Sequence, residues 1–173
     1  MIDPRPLVGE PLSLDLLNTR WNSGGGPQDL LTDTSGLAIW LHFAGLADRC
    51  RADEDTLRAV LVARQAIHLA SEESAFDVLN GVLDYGRVRR RLTDEGPVDD
   101  ADVGDPAWLP AWLAADDYLR LLREAPDRVR RCAHPNCVLY FYDTSKNGTR
   151  RWCSMAVCGN RAKAARHYAR KQA

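Results

Sequence analysis

Cys132-Ala133-His134-Pro135-Asn136-Cys137 and Cys153-Ser154-Met155-Ala156-Val157-Cys158 are two cysteine pairs of equal spacing, and they decide the fold of the last third of the chain. Each pair encloses four residues, and fifteen residues lie between the pairs. Structural zinc takes four tetrahedral sulfur or nitrogen ligands, usually as two close pairs from separate segments. The spacing therefore predicts a structural Zn²⁺ site with four ligands: Cys132, Cys137, Cys153 and Cys158.

Other chemistries of the four cysteines stay open at this point. Disulfide bonds are the plain alternative to zinc, although a cytosolic chain keeps its thiols reduced. An iron–sulfur cluster is a further alternative. His134 and His167 could each replace a cysteine ligand, although four ligands are complete without them. Cys50 lies far upstream of the pairs, and we interpret it as a small buried residue.

The residues between the pairs predict a β-hairpin. Residues 138–142 (VLYFY) are of types that favour strands, and residues 146–149 (KNGT) carry a turn signal. Residues 150–152 (RRW) are then the expected return strand, which leads into Cys153.

A basic helix is predicted after the hairpin. From Met155 the chain is rich in Ala, Arg and Lys, which favour a helix as far as about Arg170. Cys153 and Cys158 are five residues apart, so on one helix they would point about 140° away from each other. We therefore expect Cys153 on the turn before the helix and Cys158 in the first turn of the helix.

Charge divides the chain into two unlike parts. Residues 1–125 hold 12 Lys or Arg and 22 Asp or Glu, a balance of −10. Residues 126–173 hold 11 and 2, a balance of +9, and the two parts together give the net charge of −1. Because Pro126 marks a joint, we expect two domains: a mainly helical domain over residues 1–125, called the body below, and a zinc-binding domain over residues 126–173, called the cysteine module.

The positive charge of the cysteine module predicts binding to nucleic acid. A Zn²⁺ ion with four thiolates carries a net charge of −2, which nearby Lys or Arg residues can offset. The 11 cations of the module exceed the number needed for this. Cations beside a rigid zinc site suit DNA phosphates, and Asn and Arg side chains read base edges. The alternatives are a solvated charged face and attraction between the body and the module. The predicted contact residues are Arg150, Arg151, Asn160, Arg161, Lys163, Arg166, His167, Arg170 and Lys171.

Apolar periodicity and capping residues predict a helical body. The expected helices cover residues 12–21, Asp33 or Thr34 to Leu46, Asp53 or Asp55 through Ile67, 75–85 and 113–124. A β-hairpin is expected where residues 87–92 and 107–112 flank an acidic loop. The predicted fold class is mainly α with a small β-hairpin, and its C-terminal zinc module is treble-clef-like, with a β-hairpin followed by a helix.

Composition and motifs exclude several classes of protein. The 45% hydrophobic and 27% charged residues are typical of a globular chain. The sequence holds neither a run of about 20 apolar residues, which a membrane span requires, nor the pattern of a secretory signal. We therefore expect a cytoplasmic protein without a membrane partner. Four thiolates on zinc leave no open coordination position, and no catalytic motif accompanies them, so an enzyme is not expected.

Four segments closely resemble the CGNR zinc finger of bacteria, over about residues 128–170. They are CAHPNC at 132–137, FYDTSKN at 141–147, RWCSM at 151–155 and CGNRAK at 158–163. Residues 14–19 (LDLLNT) resemble the segment that opens the ABATE domain, which usually precedes this finger. The resemblance implies a stress-related bacterial transcription regulator whose finger binds DNA, with the four cysteines as zinc ligands.

The ABATE-like segment has two interpretations. Asp15, Asn18 and Thr19 could hold the body together by capping or hydrogen-bonding a neighbouring segment. Alternatively, they could line a pocket for a small-molecule effector, with Trp21 or Trp40 as its apolar wall. We favour the structural interpretation, because no phosphate loop or catalytic motif accompanies these residues.

The sequence thus predicts a transcription regulator in which the cysteine module binds DNA and the body senses a ligand or forms a homodimer. The alternative function is an adaptor, in which the zinc-stabilised module binds an acidic protein partner and does not contact DNA. The steep salt dependence of DNA binding distinguishes the two functions.

Overall fold

The computed structural model describes residues 1–161 and residue 163. Within this part, the chain forms five α-helices and three two-stranded antiparallel sheets. The helices are Leu12–Leu17 (α1), Thr34–Phe43 (α2), Glu54–Glu73 (α3), Asp77–Leu83 (α4) and Leu109–Glu124 (α5). The strands are Arg20–Ser23 (β1), Gly26–Asp29 (β2), Gly86–Thr93 (β3), Gly96–Val103 (β4), Val129–Arg131 (β5) and Tyr140–Tyr142 (β6). They pair as β1 with β2, β3 with β4 and β5 with β6. The fold is therefore helical with more strand pairs than expected.

The sequence predicts two candidate first residues for each of the two longer helices of the body. In both helices the first candidate is the capping residue. The Asp33 carboxylate accepts a hydrogen bond from the Gly36 N–H at 2.9 Å and caps α2. The Asp53 carboxylate accepts from the Thr56 N–H at 2.9 Å and caps α3. Such caps satisfy N–H groups that have no partner within the helix and contribute about 1 kcal/mol each.

The hydrophobic core of the body is built around α3, which packs against α1, α4 and α5. Its largest fully buried side chains in the body include Trp40, Leu37, Leu41, Ile67 and Leu121. Burying each such side chain contributes about 1.5–3 kcal/mol. In the described part of the chain, no helix combines the length and the apolar character that crossing a bilayer requires.

The first predicted helix is shorter than expected. It ends at Leu17, where the Thr19 hydroxyl donates to the Leu16 carbonyl at 2.6 Å. The residues that follow form the hairpin of β1 and β2, with Ser23 opposite Gly26. The prediction that helix extends to residue 21 is therefore wrong. The physical reason is the tight turn between the strands, after which β2 begins at Gly26 with a φ of 112° that favours glycine.

The predicted hairpin of the body uses a different second strand. β3 pairs with β4, which is the acidic segment itself, so that Arg87 lies opposite Asp102 and Arg90 opposite Asp99. Opposite charges across the ladder compensate for the low strand preference of aspartate. Residues 107–112 are helical instead, and Pro110 lies in the first turn of α5, where its missing N–H costs nothing.

The hairpin of the cysteine module also differs from the prediction. β6 pairs with β5, which precedes the first cysteine, so that Val129 lies opposite Tyr142 and Arg131 opposite Tyr140. Residues 150–152 form no strand, and the Arg151 carbonyl accepts a hydrogen bond from the Ala133 N–H at 2.9 Å. The predicted turn is present at Gly148, where φ is 60°. The treble-clef arrangement stays a prediction, because most of the expected C-terminal helix lies outside the described residues.

Candidate metal centre and nucleic-acid interface

The four cysteines of the two predicted pairs meet at one point. Their sulfur atoms all lie within 4.8 Å of one another, and both Cys137 and Cys158 are 3.7 Å from Cys153, sulfur to sulfur. Four sulfurs around a tetrahedral Zn²⁺, with Zn–S bonds of about 2.3 Å, are separated by about 3.8 Å. The observed spacing fits this geometry, and all four cysteines are free thiols without disulfide bonds. The cluster is a structural zinc site.

Backbone contacts hold the first cysteine pair in place. The Cys132 N–H donates to the Leu139 carbonyl at 2.9 Å, which closes the loop that carries the pair. Within this loop, the Cys137 N–H donates to the His134 carbonyl at 2.9 Å. The Cys153 N–H points at the Cys132 sulfur at 3.4 Å, a contact that favours a thiolate. These hydrogen bonds therefore hold the loop in the shape that presents both sulfur atoms.

The last ligand lies in a helical turn, as predicted. Cys158 belongs to one wide turn, Met155–Gly159, and the Ser154 hydroxyl accepts from the Val157 N–H at 3.4 Å at the start of this turn. Cys153 precedes the turn. The backbone stays helical at Asn160, whose φ and ψ are −68° and −39°. The two cysteines thus approach the metal from different segments, because they could not do so from one helical face.

The electrostatics of the cluster call for a cation. A hydrogen bond from the Cys153 thiol lowers the pKa of Cys137 to about 5, and the same hydrogen bond raises the pKa of Cys153. Burial raises the pKa of Cys158 to about 12. Thiolates packed this closely repel one another, and a bound Zn²⁺ ion offsets that repulsion.

His134 is not among the clustered groups. The His134 ring accepts a hydrogen bond from the Asn136 N–H at 3.2 Å, so it shapes the loop. His167 lies outside the described residues. In the part of the chain that the structure describes, the metal-binding group consists of the four cysteines. Cys50 is buried in the core of the body, as expected.

Arg150, a predicted DNA contact, is engaged within the cysteine module. Its guanidinium donates to the Trp152 carbonyl at 3.0 Å and the Cys153 carbonyl at 2.6 Å. It also lies 4.3 Å from the centre of the Phe141 ring, which is fully buried. These contacts fix the backbone that presents the third ligand.

The other predicted DNA contacts within the described residues are exposed. Arg151 lies with its guanidinium 5.3 Å from the Trp152 ring. Asn160, Arg161 and Lys163 are exposed, and the Asn160 amide donates to the Ala156 carbonyl at 3.1 Å. The remaining predicted contacts lie outside the described residues: Arg166, His167, Arg170 and Lys171.

The ABATE-like segment is buried and hydrogen-bonded. The Asp15 carboxylate accepts from the Arg5 guanidinium at 2.7 Å and from the Trp40 indole at 3.1 Å, and all three side chains are buried. The Thr19 hydroxyl accepts from the buried Arg64 at 2.8 Å. These contacts match the structural interpretation. Of the five predicted pocket residues, Trp21 lines the cavity of about 560 Å³ that lies beside β1 and β2, and the other four do not line it.

Asn18 joins the body to the cysteine module. Its side-chain amide donates to the Tyr140 carbonyl at 2.9 Å and accepts from the Tyr140 N–H at 2.8 Å. Asn18 is fully buried. The side-chain amide therefore pairs with β6 through two hydrogen bonds, as the backbone of a neighbouring strand would. These bonds satisfy backbone groups that are costly to leave unpaired.

Sequence reasoning missed three acidic residues that organise the module. Glu10 accepts from the Tyr142 N–H at 2.8 Å, and burial raises the pKa of Glu10. Glu72 accepts from the Tyr140 hydroxyl at 2.6 Å. Asp143 accepts from two backbone N–H groups at 2.9 Å on the buried side of the module. Only Asp143 carried a local signal, since an Asp that is followed two residues later by Ser is typical of a side-chain-stabilised turn.

Some of the module's positive charge is directed at the body. Arg131 lies 3.1 Å from Glu72, and Arg150 lies 3.8 Å from Glu10. The predicted alternative is that the charges of the body and the module attract each other. These two ion pairs are contacts of that kind. Such partly exposed ion pairs contribute about 1 kcal/mol or less each.

Comparison with known families identifies both parts of the chain. A family model described as "ABATE: Putative stress-induced transcription regulator" matches residues 10–125. A model described as the CGNR zinc finger matches residues 128–171. Neither description is that of an enzyme family. A search among curated proteins found no match.

Proposed function

The chain belongs to the ABATE family and carries a C-terminal CGNR zinc finger, and from this premise we propose that it is a transcription regulator that binds DNA. In this proposal the cysteine module, residues 126–173, is the DNA-binding domain, and its zinc ion is structural. The body, residues 1–125, is the domain that senses a ligand or forms a homodimer. The protein acts in the bacterial cytoplasm under stress and has no enzymatic activity.

The observation that carries the proposal is the exposed positive surface that follows the last zinc ligand. Arg161 and Lys163 are exposed within five residues of Cys158, and Arg151 is exposed beside the third ligand. A zinc site that holds the backbone next to these cations limits the backbone freedom that is lost when they contact phosphates. The zinc ion thus positions the DNA-binding surface without taking part in chemistry.

The test measures DNA binding by the zinc-loaded full chain at increasing salt concentrations. We expect the logarithm of the affinity to fall linearly with the logarithm of the salt concentration, with a slope of about −0.9 per phosphate contact. Arg161→Ala should reduce this slope by about one contact. Arg123→Ala is the matched control, since it removes an equally exposed arginine from α5 in the body.

Two outcomes contradict the proposal. One is zinc-loaded protein that binds no DNA at about 50 mM salt, where electrostatic binding is strong. The other is equal loss of affinity in the Arg161 and Arg123 variants. The first outcome favours the alternative of an adaptor, in which the same cations bind an acidic protein partner, and the second shows that DNA binding does not depend on the cysteine module.

A further inference from the structure

A cavity of about 560 Å³ lies where the body meets the cysteine module. The body contributes the β1–β2 hairpin and one side of α3, and the module contributes Arg131, Val138 and Tyr140. Arg131 directly precedes the ligand Cys132, and Val138 directly follows the ligand Cys137. A molecule that fills the cavity therefore reaches the residues on both sides of the first cysteine pair.

The walls of this cavity are mainly apolar. They include Leu17, Trp21, Pro27, Val138 and the ring of Tyr140. The indole of Trp21 is half-buried and belongs to the edge of both hydrophobic cores. Cavities of about 300–1,000 Å³ with apolar walls and a few polar groups are typical of sites for small organic molecules.

The charged groups around the cavity favour an anion. Its walls carry three arginines, Arg20, Arg64 and Arg131, and a single carboxylate, Asp29. Asp29 is already engaged by two of them: Arg64 donates to both of its oxygens, at 2.7 and 2.9 Å, and Arg20 donates at 3.0 Å. The Arg64–Asp29 ion pair therefore forms part of the cavity wall, and we do not count it among the groups that bind a ligand.

Two of these arginines keep nitrogen atoms for a ligand. Arg20 contacts Asp29 through its Nε atom, and its side chain is 57% exposed. Arg131 contacts Glu72 through one Nη atom, and its side chain is 47% exposed. Planar guanidinium groups of this kind bind carboxylates through paired hydrogen bonds.

We propose that this cavity binds a small organic carboxylate with an apolar, aromatic-sized body, which inserts beside Trp21 while Arg131 and Arg20 hold its anionic group. Because the ligand contacts the residues that flank Cys132 and Cys137, its binding stabilises the zinc-bound form of the cysteine module. A regulatory effect of this binding on DNA rests on the proposed function, but the binding itself does not.

The test uses 1-naphthoate as the probe and its neutral analogue 1-naphthamide as the chemical control. Calorimetry with the zinc-loaded full chain should show naphthoate binding about tenfold tighter than naphthamide, as expected for one charge-assisted contact. At ten times its dissociation constant, naphthoate should slow the transfer of zinc to a chelator about tenfold.

Three variants locate the site. Gln65→Trp fills the cavity from an exposed position on α3 and should abolish the binding of both probes. Arg131→Gln should weaken naphthoate binding about tenfold and leave naphthamide binding unchanged. Arg123→Gln is the matched control outside the cavity and should change neither affinity. If Arg131→Gln lowers the zinc content, Arg20→Gln replaces it.

The proposal is overturned if naphthoate does not bind at millimolar concentration, or if Gln65→Trp leaves its binding unchanged. DNA binding is measured on the same preparations, so that the two proposals are judged separately. Naphthoate binding without DNA binding supports the cavity proposal and contradicts the proposed function. DNA binding without naphthoate binding supports the proposed function and contradicts the cavity proposal.

Discussion

The body and the cysteine module are stabilised in different ways. The body has a continuous core in which side chains such as Leu14, Trp40 and Ile67 are fully buried. Among the described residues of the module, the buried cluster has five members, and three of them are the metal ligands Cys132, Cys153 and Cys158. We therefore expect the body to fold by apolar burial, and we expect the module to need zinc and its contacts with the body.

The contacts between the two parts combine apolar packing with hydrogen bonds, since Val129, Tyr140 and Tyr142 of the module pack with the core of the body. Asn18 pairs with the backbone of Tyr140, and Glu10 and Glu72 accept hydrogen bonds from Tyr142 and Tyr140. Each contact satisfies a donor or acceptor of β6 that lies at least partly away from water. In a larger sheet, another strand would form these hydrogen bonds with β6. Here, side chains of the body form them.

The largest expected effect comes from removing a zinc ligand. Cys153→Ala should abolish stoichiometric zinc binding and unfold the module, because zinc binding supplies about 10 kcal/mol or more in modules of this kind. The body should keep its helices and its cooperative unfolding. Metal analysis measures the zinc, and far-UV circular dichroism during urea unfolding follows the body.

The matched control for this variant is Cys50→Ala. It removes a buried thiol from the core of the body, so it should lower the stability of the body and leave the zinc content unchanged. If Cys153→Ala also abolishes the cooperative unfolding of the body, the two parts are one folding unit and the comparison above is wrong.

A smaller effect is expected at the contact between the two parts. Asn18→Ala removes both hydrogen bonds to Tyr140 and leaves a buried N–H and carbonyl unpaired, at a cost of about 2–4 kcal/mol. Asn22→Ala is the control, because Asn22 is exposed and donates one hydrogen bond to the module, at 3.1 Å to Asn136. Its effect should be about 0.5 kcal/mol or less.

Urea unfolding of the zinc-loaded protein measures this difference, and the rate of zinc transfer to a chelator shows whether the module is affected. Asn18→Ala should speed the transfer and Asn22→Ala should not. Equal stability of the two variants would show that water satisfies the backbone of Tyr140 and that the module is independent of the body.

The smallest of these effects is expected for Tyr140→Phe. The change removes the hydroxyl that donates to Glu72 at 2.6 Å but keeps the apolar ring, so it should cost about 1–2 kcal/mol. Burial and the Glu72 hydrogen bond raise the pKa of Tyr140. The contribution is therefore fully present below about pH 10, the unfolded pKa of tyrosine, and is lost as the pH rises through the folded pKa.

Tyr85→Phe is the control for this prediction, because Tyr85 is 44% exposed. Denaturant unfolding at neutral pH and at alkaline pH compares the two variants with the unchanged chain. A Tyr140→Phe variant as stable as Tyr85→Phe at neutral pH contradicts the assigned hydrogen bond.

The features that could be predicted from the sequence depend on local or strongly patterned signals. The four ligands follow from the spacing of the cysteines, and the caps Asp33 and Asp53 follow from residue preferences at helix starts. The separation of Cys153 from Cys158 follows from helix geometry. In each case, the deciding interaction lies within a few residues or within one motif, so no knowledge of distant contacts was needed.

The strand partners could not be predicted, because distant contacts decide them. β5 is three residues long and contains two arginines, so it has no apolar alternation. β4 is acidic, and only its arginine-rich partner makes the pairing favourable. The role of Asn18 is similarly invisible, since the Tyr140 backbone that it pairs with lies 122 residues further along the chain.

The pairing of Asn18 with Tyr140 has a consequence for protein engineering. A fragment that begins at residue 126 keeps every zinc ligand but leaves the N–H and carbonyl of Tyr140 without their amide partner. Transplanting the module onto an unrelated carrier therefore requires an acceptor surface with an amide at the same place. We therefore expect the finger to be less stable on a carrier that lacks the contacts of Asn18, Glu10 and Glu72.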